Sequence, residues 1–374
     1  MAAPADTGRD DLAAYLALGQ IPGIGAARLR TLIAAFGSAH SAILAPHGAI
    51  AALPGFGPAA ATAVRSTGLG PGVAIIRELE RLGATVLMPG DPGYPLLLAE
   101  IPDPPAALFV WGDGSLLGRP CAAIVGSRNH SPYGADAARM LAGGVARAAV
   151  VVSGMARGLD AVAHLAALDV GGATIGVLGN GFGVVYPAGN RALYERVAAQ
   201  GCLVTELPPG ERPRVSTFPR RNRIIAGLAG VTVVVEAAVG SGALITADCA
   251  LDQGRSVLAV PGPITSATSI GCNKLIQQGA KPALSAADIL EELGLASPQP
   301  MGTDAPVAGA RRAQPVDLDD LQRSLWESLA QQATHIDALV AGTGRGTGEV
   351  LTALTGLELR GLVAQQPGMI FALA

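Results

Sequence analysis

The sequence contains few of the features that mark zinc proteins, disulfide-rich proteins or membrane proteins. Its 374 residues include only four cysteines, at positions 121, 202, 249 and 272, without a CxxC pair or histidines at metal-ligand spacing. We therefore expect neither a bound metal or cofactor nor a disulfide framework. No window holds eighteen uninterrupted apolar residues, and the N-terminus is acidic where a signal peptide would be basic and then apolar. A cytoplasmic protein without a membrane partner is expected.

Lysine is almost absent, so the distribution of arginine becomes informative. The formal net charge is −3, and only Lys274 and Lys281 among the 26 basic residues are lysines. A negative net charge taken alone argues against a nucleic-acid partner, because DNA binding normally needs a basic surface. However, residues 119–223 carry twelve arginines against six acidic residues. Guanidinium groups bind phosphate through paired hydrogen bonds, so this basic block predicts an anionic ligand.

Two similar glycine-containing segments predict a helical domain over residues 1–70. Residues 21–25 and 53–57 share an apolar-Pro-Gly-apolar-Gly pattern, and an alanine-rich stretch follows each. The pair resembles two helix-hairpin-helix motifs of a SAM-like domain. Glycine permits the tight turn, and free amides at the start of the next helix can bind a phosphate. The sequence leaves open whether these turns contact DNA or only pack together.

Residues 71–296 show the pattern of an α/β domain, in which short apolar runs alternate with helical stretches. Such alternation predicts a doubly wound core, a parallel sheet with helices on both faces. Ligands in this architecture bind beyond the carboxyl ends of the strands. The predicted strands are residues 121–125, 149–152, 174–178, 203–205, 231–235 and 256–260.

The residues that follow these runs are rich in glycine and arginine, a composition suited to phosphates. A further segment, residues 216–223, places Phe218 beside Arg220, Arg221 and Arg223 just before an apolar helical stretch. Phe218 is therefore a candidate for stacking on an unpaired base, while the arginines neutralise phosphates of the strand.

The C-terminal part of the sequence predicts a separate small domain. Residues 297–315 are rich in proline, glycine and alanine without periodicity, which is typical of a linker. Residues 316–374 predict three helices followed by strand, turn and strand, the order of a winged-helix domain. Its candidate recognition helix holds Glu349 and Glu358 against Arg360 alone. Because a helix that faces DNA phosphates is expected to be basic, we expect this domain to bind a protein.

Motifs for nucleotide or hydrolytic chemistry are incomplete. The GxGxG at residues 179–183 lacks the third glycine and a clear acidic partner, Glu206 being the nearest candidate. No GxxxxGK[ST] phosphate-binding loop occurs. Asp160 and His164 share a helix face near Ser153, but we interpret them as a helix cap, a packed histidine and a loop residue rather than a catalytic triad.

Several of these segments occur together, in the same order, in one known family. They are residues 126–128, 153–164, 186–187, 218–228, 241–247 and 271–276. Over residues 90–293 the chain closely resembles the DNA-processing protein A (DprA/Smf) family, and the flanking regions match its longer members. The resemblance implies an extended Rossmann-like core that binds single-stranded DNA, forms a homodimer and transfers incoming strands to the RecA recombinase during natural transformation.

The resemblance also locates a DNA site, in which we expect no catalytic residue and no metal ligand. Some family members carry a lysine just after the Tyr-Pro pair, and here Arg191 is the nearest substitute, so that contact stays open. The predicted DNA-binding residues are Gly126, Ser127, Arg128, Arg157, Gly158, Arg191, Phe218, Arg220, Arg221, Asn222, Arg223, Gly242, Thr246, Asn273 and Lys274.

One enzymatic alternative has a similar core. The Lonely Guy (lysine-decarboxylase-like) family hydrolyses nucleoside 5′-monophosphates and carries a PGGxGTxxE motif whose glutamate serves the reaction. The corresponding residues 236–246 have neither the PGG nor a glutamate after the glycine. We therefore expect a non-enzymatic protein that binds single-stranded DNA.

Overall fold

The structure, a computed structural model, describes residues 7–295, 318–329, 334–360, 362–366 and 369–373. The chain separates into two compact units, Met1–Pro298 and Gln299–Ala374. Each unit has a hydrophobic core of its own. The predicted linker, residues 297–315, lies outside the described residues.

The first unit begins with helices, which are α1 (Thr7–Gly19), α2 (Ala26–Phe36), α3 (Ala39–Leu44), α4 (His47–Ala51), α5 (Pro58–Thr67) and α6 (Gly70–Leu82). The two predicted turns precede α2 and α5, and Gly23 and Gly55 have φ angles of 84° and 79° there, which glycine adopts without strain. Arg28 donates to the Gly23 carbonyl oxygen at 2.9 Å and lies over the Phe56 ring, so it connects the two turns. The helical region continues through α6, beyond the predicted boundary at residue 70.

A nine-stranded mixed sheet forms the centre of this unit. Its strands are β1 (Thr85–Leu87), β2 (Leu108–Gly112), β3 (Cys121–Val125), β4 (Val150–Ser153), β5 (Thr174–Val177), β6 (Cys202–Thr205), β7 (Val231–Val234), β8 (Ser256–Ala259) and β9 (Lys281–Pro282). The strand order is β1-β2-β6-β5-β4-β3-β7-β8-β9. The pairs from β6 to β9 are parallel, whereas β2 pairs antiparallel with both β6 and β1. All six predicted strands are confirmed as β3 to β8, each within one residue of its predicted bounds.

Helices cover both faces of the sheet, and strands β3 to β7 are buried along their length. These helices are α7 (Leu96–Ala99), α8 (Pro132–Val145), α9 (Leu159–Asp169), α10 (Arg191–Gln200), α11 (Thr217–Leu228), α12 (Gly242–Asp252), α13 (Ile270–Gln277) and α14 (Ala286–Glu292). Side chains alternate across a strand, so Ala123 of β3 packs with α11 and α12 while Ile124 packs with α8 and α9. Across the described ranges, every helix falls short of the length and apolar character of a membrane span.

The winding of the chain brings several loops to one edge of the sheet. The chain runs from β3 outward to β6 and then returns to β7, which lies beside β3. The carboxyl ends of these parallel strands therefore share an edge, which is where doubly wound folds bind ligands. The loops that follow β3, β4 and β5 meet there, and α11 crosses back toward them.

The second unit has the predicted winged-helix order. Its elements are α15 (Asp320–Leu329), β10 (Thr334–His335), α16 (Ile336–Thr343), α17 (Thr347–Leu359), β11 (Val363–Gln366) and β12 (Ile370–Leu373). Strand β12 pairs antiparallel with both β10 and β11. Leu325, Leu339 and Leu354 bring the three helices together in one core. The predicted recognition helix is α17, and its Glu349 and Glu358 are exposed.

The contact between α1 and α6 provides a test of the helical packing. A β-carbon at Gly72 would stand 1.8 Å from the Ala13 carbonyl oxygen. Gly72→Ala should therefore lower the free energy of unfolding in urea by about 1–3 kcal/mol, as overpacking does. Gly48→Ala is the matched control, because nothing lies within 4 Å of a β-carbon there. Equal stability of Gly72→Ala and the wild type would contradict this packing.

Candidate nucleic-acid interface

A cavity of about 260 Å³ opens beyond the carboxyl ends of β3, β4 and β5. Its walls come from the three loops that follow these strands and from the adjoining parts of α10 and α11. It lies where a doubly wound fold is expected to bind a ligand. The lining residues are Arg128, Gly154, Met155, Ala156, Arg157, Gly179, Asn180, Tyr186, Pro187, Tyr194, Phe218 and Arg221.

Two aromatic rings form one side of the cavity. The ring centroids of Phe218 and Tyr186 lie 5.3 Å apart, and Tyr186 is 44% exposed. The guanidinium carbon of Arg128 lies 5.7 Å from the centre of the Phe218 ring, which is a cation–π distance. Phe218 reaches the end of β5 only because residue 179 is glycine, where a β-carbon would stand 2.9 Å from the ring. The cavity therefore offers a stacking surface next to a positive charge.

The loop after β4 forms another side of the cavity. Met155 and Gly158 have φ angles of 57° and 82°, in the region that most side chains avoid. A β-carbon at Gly158 would stand 2.4 Å from the Ser127 carbonyl oxygen, so the loops after β3 and β4 are in close contact. This arrangement places the exposed side chain of Arg157 at the same cavity as Arg128.

Arg221 is buried, which does not fit its predicted contact with a phosphate. It is 6% exposed, and its Nη1 donates to the carbonyl oxygens of Gly154 and Val177, the second at 2.8 Å. Burial lowers the pKa of this guanidinium, and the negative charge of Asp160 acts in the opposite direction. The phosphate contact of Arg221 stays a prediction, and its bonds to two main-chain carbonyls beneath the surface count against it.

The other two arginines of this segment also depart from the expected exposed cluster. Helix α11 begins at Thr217, so successive side chains point about 100° apart around its axis. Arg223 pairs through Nη2 with the Glu206 carboxylate, and its Nε lies 3.4 Å from Asp103 Oδ2. Its role in neutralising a phosphate stays a prediction, and these carboxylate partners count against it. The Arg220 side chain is 62% exposed and lies 3.6 Å from Glu206, so it is the most exposed of the three arginines.

The remaining predicted residues fall into two groups. Gly126 and Ser127 follow β3 beside the cavity, and the Ser127 carbonyl oxygen accepts from the Leu159 amide at 3.1 Å. The second group lies on neighbouring elements and does not line the cavity: Arg191, Asn222, Gly242, Thr246, Asn273 and Lys274. In this group Asn222 donates to the Gly242 carbonyl oxygen at 3.1 Å, and Arg191 and Lys274 are exposed.

The charge of the cavity is positive. Three arginines line it, and within the described part of the chain no carboxylate does. The direction of winding reverses between the neighbouring strands β3 and β7. Glu236 lies just after β7 at this point and is 2% exposed. Its carboxylate accepts hydrogen bonds from the amide and hydroxyl of Ser131, at 2.9 and 2.6 Å, and from the Thr268 hydroxyl at 3.0 Å. This glutamate is bonded to protein groups, so the lining suits an anion better than carboxylate-dependent hydrolysis.

Asp160 and His164 are buried next to the loop after β4. Gly158 occupies the N-cap position of α9, which corrects the interpretation of Asp160 as the cap. Asp160 instead accepts hydrogen bonds from two amides of the loop. His164 Nδ1 lies 2.7 Å from Thr174 Oγ1, and burial lowers the pKa of His164 to about 3. A neutral, enclosed imidazole of this kind packs in the core, as predicted, and is not poised for base catalysis.

Eight lining residues are absent from the predicted site, and Asn180, Tyr186 and Tyr194 are the three of them with polar side chains. The Tyr194 hydroxyl donates to the Tyr186 carbonyl oxygen at 2.8 Å, which holds the segment that carries the second aromatic ring. The Tyr-Pro pair at 186–187 was the available signal. A sequence motif of this kind marks a turn but does not show where its ring points.

Comparison with known proteins establishes the family. The family model for DNA recombination-mediator protein A matches residues 85–294, and the model for the DprA winged helix domain matches residues 309–369. The chain belongs to the DNA recombination-mediator protein A (DprA/Smf) family, as its motifs predicted.

Relatives and solved structures agree with this assignment. Protein Smf of Synechocystis is 34% identical over an alignment of 389 residues, which spans 95% of this chain and 97% of that protein. Protein Smf of Escherichia coli is 41% identical over 285 residues, 75% of this chain and 76% of that protein. The structure of DNA processing protein A from Streptococcus pneumoniae matches with 40% identity and a TM-score of 0.57, over 63% of this chain and 82% of that chain. A structure concerned with the single-stranded DNA binding mode of DNA processing protein A from Helicobacter pylori matches with 28% identity and a TM-score of 0.51, over 56% of this chain and 95% of that chain.

The buried histidine provides a pH-dependent test. Burial holds the pKa of His164 at about 3 in the folded chain, whereas an unfolded histidine titrates at about 6.5. Between these values the unfolded state binds the additional proton, so stability falls as the pH drops. In His164→Asn, the slope of the free energy of unfolding against pH should be smaller by about 1.4 kcal/mol per pH unit between roughly pH 4 and pH 6. Urea unfolding at each pH measures this slope. An unchanged slope would show that His164 is not held neutral.

Proposed function

We propose that this protein binds single-stranded DNA at the cavity beyond β3, β4 and β5, and that it does so without catalysing a reaction. The proposal rests on the combination of a ring and a positive charge at the cavity. The Arg128 guanidinium lies 5.7 Å from the centre of the Phe218 ring, and the described residues that line the cavity include no carboxylate. Proteins hold single strands by combining aromatic stacking with positive groups along the backbone. The single-strand binding of the Helicobacter pylori relative supports the proposal.

The cavity suits one nucleotide of the strand. A base stacks on Phe218 or on the exposed ring of Tyr186, an interaction worth about 1–3 kcal/mol for any base. The Arg128 guanidinium lies over the Phe218 ring, so a base that stacks on that face displaces it. A displaced guanidinium remains near the phosphates on either side of the base. Arg128 therefore supplies charge to the strand in place of its contact with the ring.

Positive groups outside the cavity extend the interaction along the strand. Arg191, Arg220 and Lys274 do not line the cavity, and all three are exposed. Contacts of these groups with phosphates are independent of sequence and weaken as salt concentration rises. The buried and paired guanidiniums of Arg221 and Arg223 do not take part directly.

We infer two further roles from family membership. The protein delivers the strand to a RecA recombinase during natural transformation, and it acts as a homodimer through its core. The description of the family as a recombination mediator supports the first role, and the exposed Glu349 and Glu358 of α17 are compatible with a protein partner. On a strand first covered by a single-strand-binding protein, addition of this chain should accelerate filament assembly by the recombinase. Unchanged assembly would contradict delivery.

Substitution of Arg128 tests the site. Arg128→Ala should weaken binding of a labelled oligothymidylate, measured by fluorescence anisotropy over a salt series. The slope of log affinity against log salt should fall by about 0.7, because one phosphate contact is lost. Arg139→Ala is the matched control, since it removes an exposed arginine of α8 that does not line the cavity. Affinity and slope of this control should remain near those of the wild type.

Three results would count against the proposal. Unchanged affinity and slope in Arg128→Ala would exclude the cavity as the binding site. Tighter binding of a duplex than of a single strand of the same sequence would exclude the proposed class of ligand. Release of free base from nucleoside 5′-monophosphates would favour the hydrolytic alternative.

A further inference from the structure

Gly154 is held from two sides by buried side chains of opposite charge. Its amide donates to Asp160 Oδ2 at 3.2 Å, and its carbonyl oxygen accepts from Arg221 Nη1. Asp160 and Arg221 are each 6% exposed. The carboxylate belongs to α9 and the guanidinium to α11. Two helices are thus connected through a single residue of the loop after β4.

The rest of this loop is equally constrained. The Ala156 amide donates to the same Asp160 oxygen at 3.4 Å. The Asn190 side chain donates to the carbonyl oxygens of Met155 and Ala156, at 3.0 and 3.2 Å. Main-chain groups on both sides of Arg157 therefore have fixed partners, which determines where the loop carries this exposed arginine.

Arg221 also links two strand ends. Besides Gly154, which follows β4, its Nη1 bonds to Val177, the last residue of β5. A β-carbon at Gly154 would stand 1.9 Å from this nitrogen, so the guanidinium and the loop are packed without intervening space. This one side chain bridges the ends of the paired strands β4 and β5, from which two sides of the cavity continue.

We propose that Arg221 and Asp160 are positioning residues for the bound strand, holding the loop after β4 so that Arg157 and the aromatic rings face the nucleotide. The inference rests on single-strand binding at the cavity. It assigns no phosphate contact to either side chain. The competing hypothesis is a direct contact through Arg221 Nε, which has no hydrogen-bond partner among the described residues.

The two hypotheses differ in whether substitutions of Arg221 and Asp160 have coupled effects on strand binding. Removal of one buried charge leaves the other without its counter-charge, whereas removal of both relieves that cost. Positioning therefore predicts energetic coupling between Arg221 and Asp160. A direct phosphate contact predicts independent effects of opposite sign, because Asp160 would then only repel the strand.

The experiment compares Arg221→Met, Asp160→Asn and the double variant in the full chain, using anisotropy of labelled oligothymidylate over a salt series. Each single variant should bind about tenfold more weakly, with the salt slope of the wild type. The double variant should bind more tightly than the product of the two single losses. A slope reduced by about 0.7 in Arg221→Met, tighter binding by Asp160→Asn, or strictly additive effects would each overturn the proposal.

Arg221→Lys provides a second test, because it retains the positive charge inside the fold. Lysine binds phosphate as a point charge but lacks the planar fork of the guanidinium. Positioning predicts a loss of affinity close to that of Arg221→Met, and wild-type affinity would overturn it. A strand with one 2-aminopurine reports stacking at saturating protein. Its quenching should be weaker with Arg221→Lys than with the wild type, and equal quenching would also overturn the proposal.

Strand binding by the wild-type chain distinguishes a failure of this inference from a failure of the proposed function. If the wild-type chain fails to bind the strand, the proposed function is contradicted. If it binds with the expected salt dependence but the Arg221 and Asp160 variants match it, only the positioning role is contradicted.

Discussion

Helix α11 approaches the ends of β4 and β5 so closely that the site depends on two glycines. Phe218 fits beside Gly179 and Arg221 beside Gly154, where β-carbons would stand 2.9 Å from the ring and 1.9 Å from the guanidinium. A larger residue at either position would displace the helix from the strands. The position of the stacking surface and the course of the loop after β4 both depend on this approach. These two glycines, which follow β4 and β5, make room for side chains of the protein itself.

Burial divides the arginines of the basic block into groups with different roles. Arg221 is enclosed and bonds to main-chain carbonyls, and Arg223 pairs with Glu206. Arg128 and Arg157 are exposed at the cavity. The charge that a strand meets is therefore smaller than a count over residues 119–223 indicates. Two exposed arginines share the cavity with the aromatic rings, which favours a ligand that combines phosphates with flat bases.

The sequence was sufficient to predict most of the sheet but only part of the site. Strands β3 to β8 are mostly buried, so each is a short apolar run with recognisable bounds, whereas β1 and β9 are too short to produce a periodic signal. The segment around Phe218 was predicted to lie just before an apolar helical stretch, with its arginines on the phosphates of a strand. Proline is tolerated in the first turn of a helix, and α11 begins at Thr217. Once this segment is helical, neighbouring arginines face different surroundings, and charge alone does not reveal which one is buried.

The most direct test of base binding at the cavity is to identify the residue that a base contacts. A single strand with one 5-iodouracil can be irradiated in complex with the wild-type protein, and the crosslinked peptide identified by mass spectrometry. The expected adduct is on Phe218 or Tyr186. Adducts confined to the N-terminal helices or the winged-helix unit, with none on either ring, would contradict strand binding at this cavity.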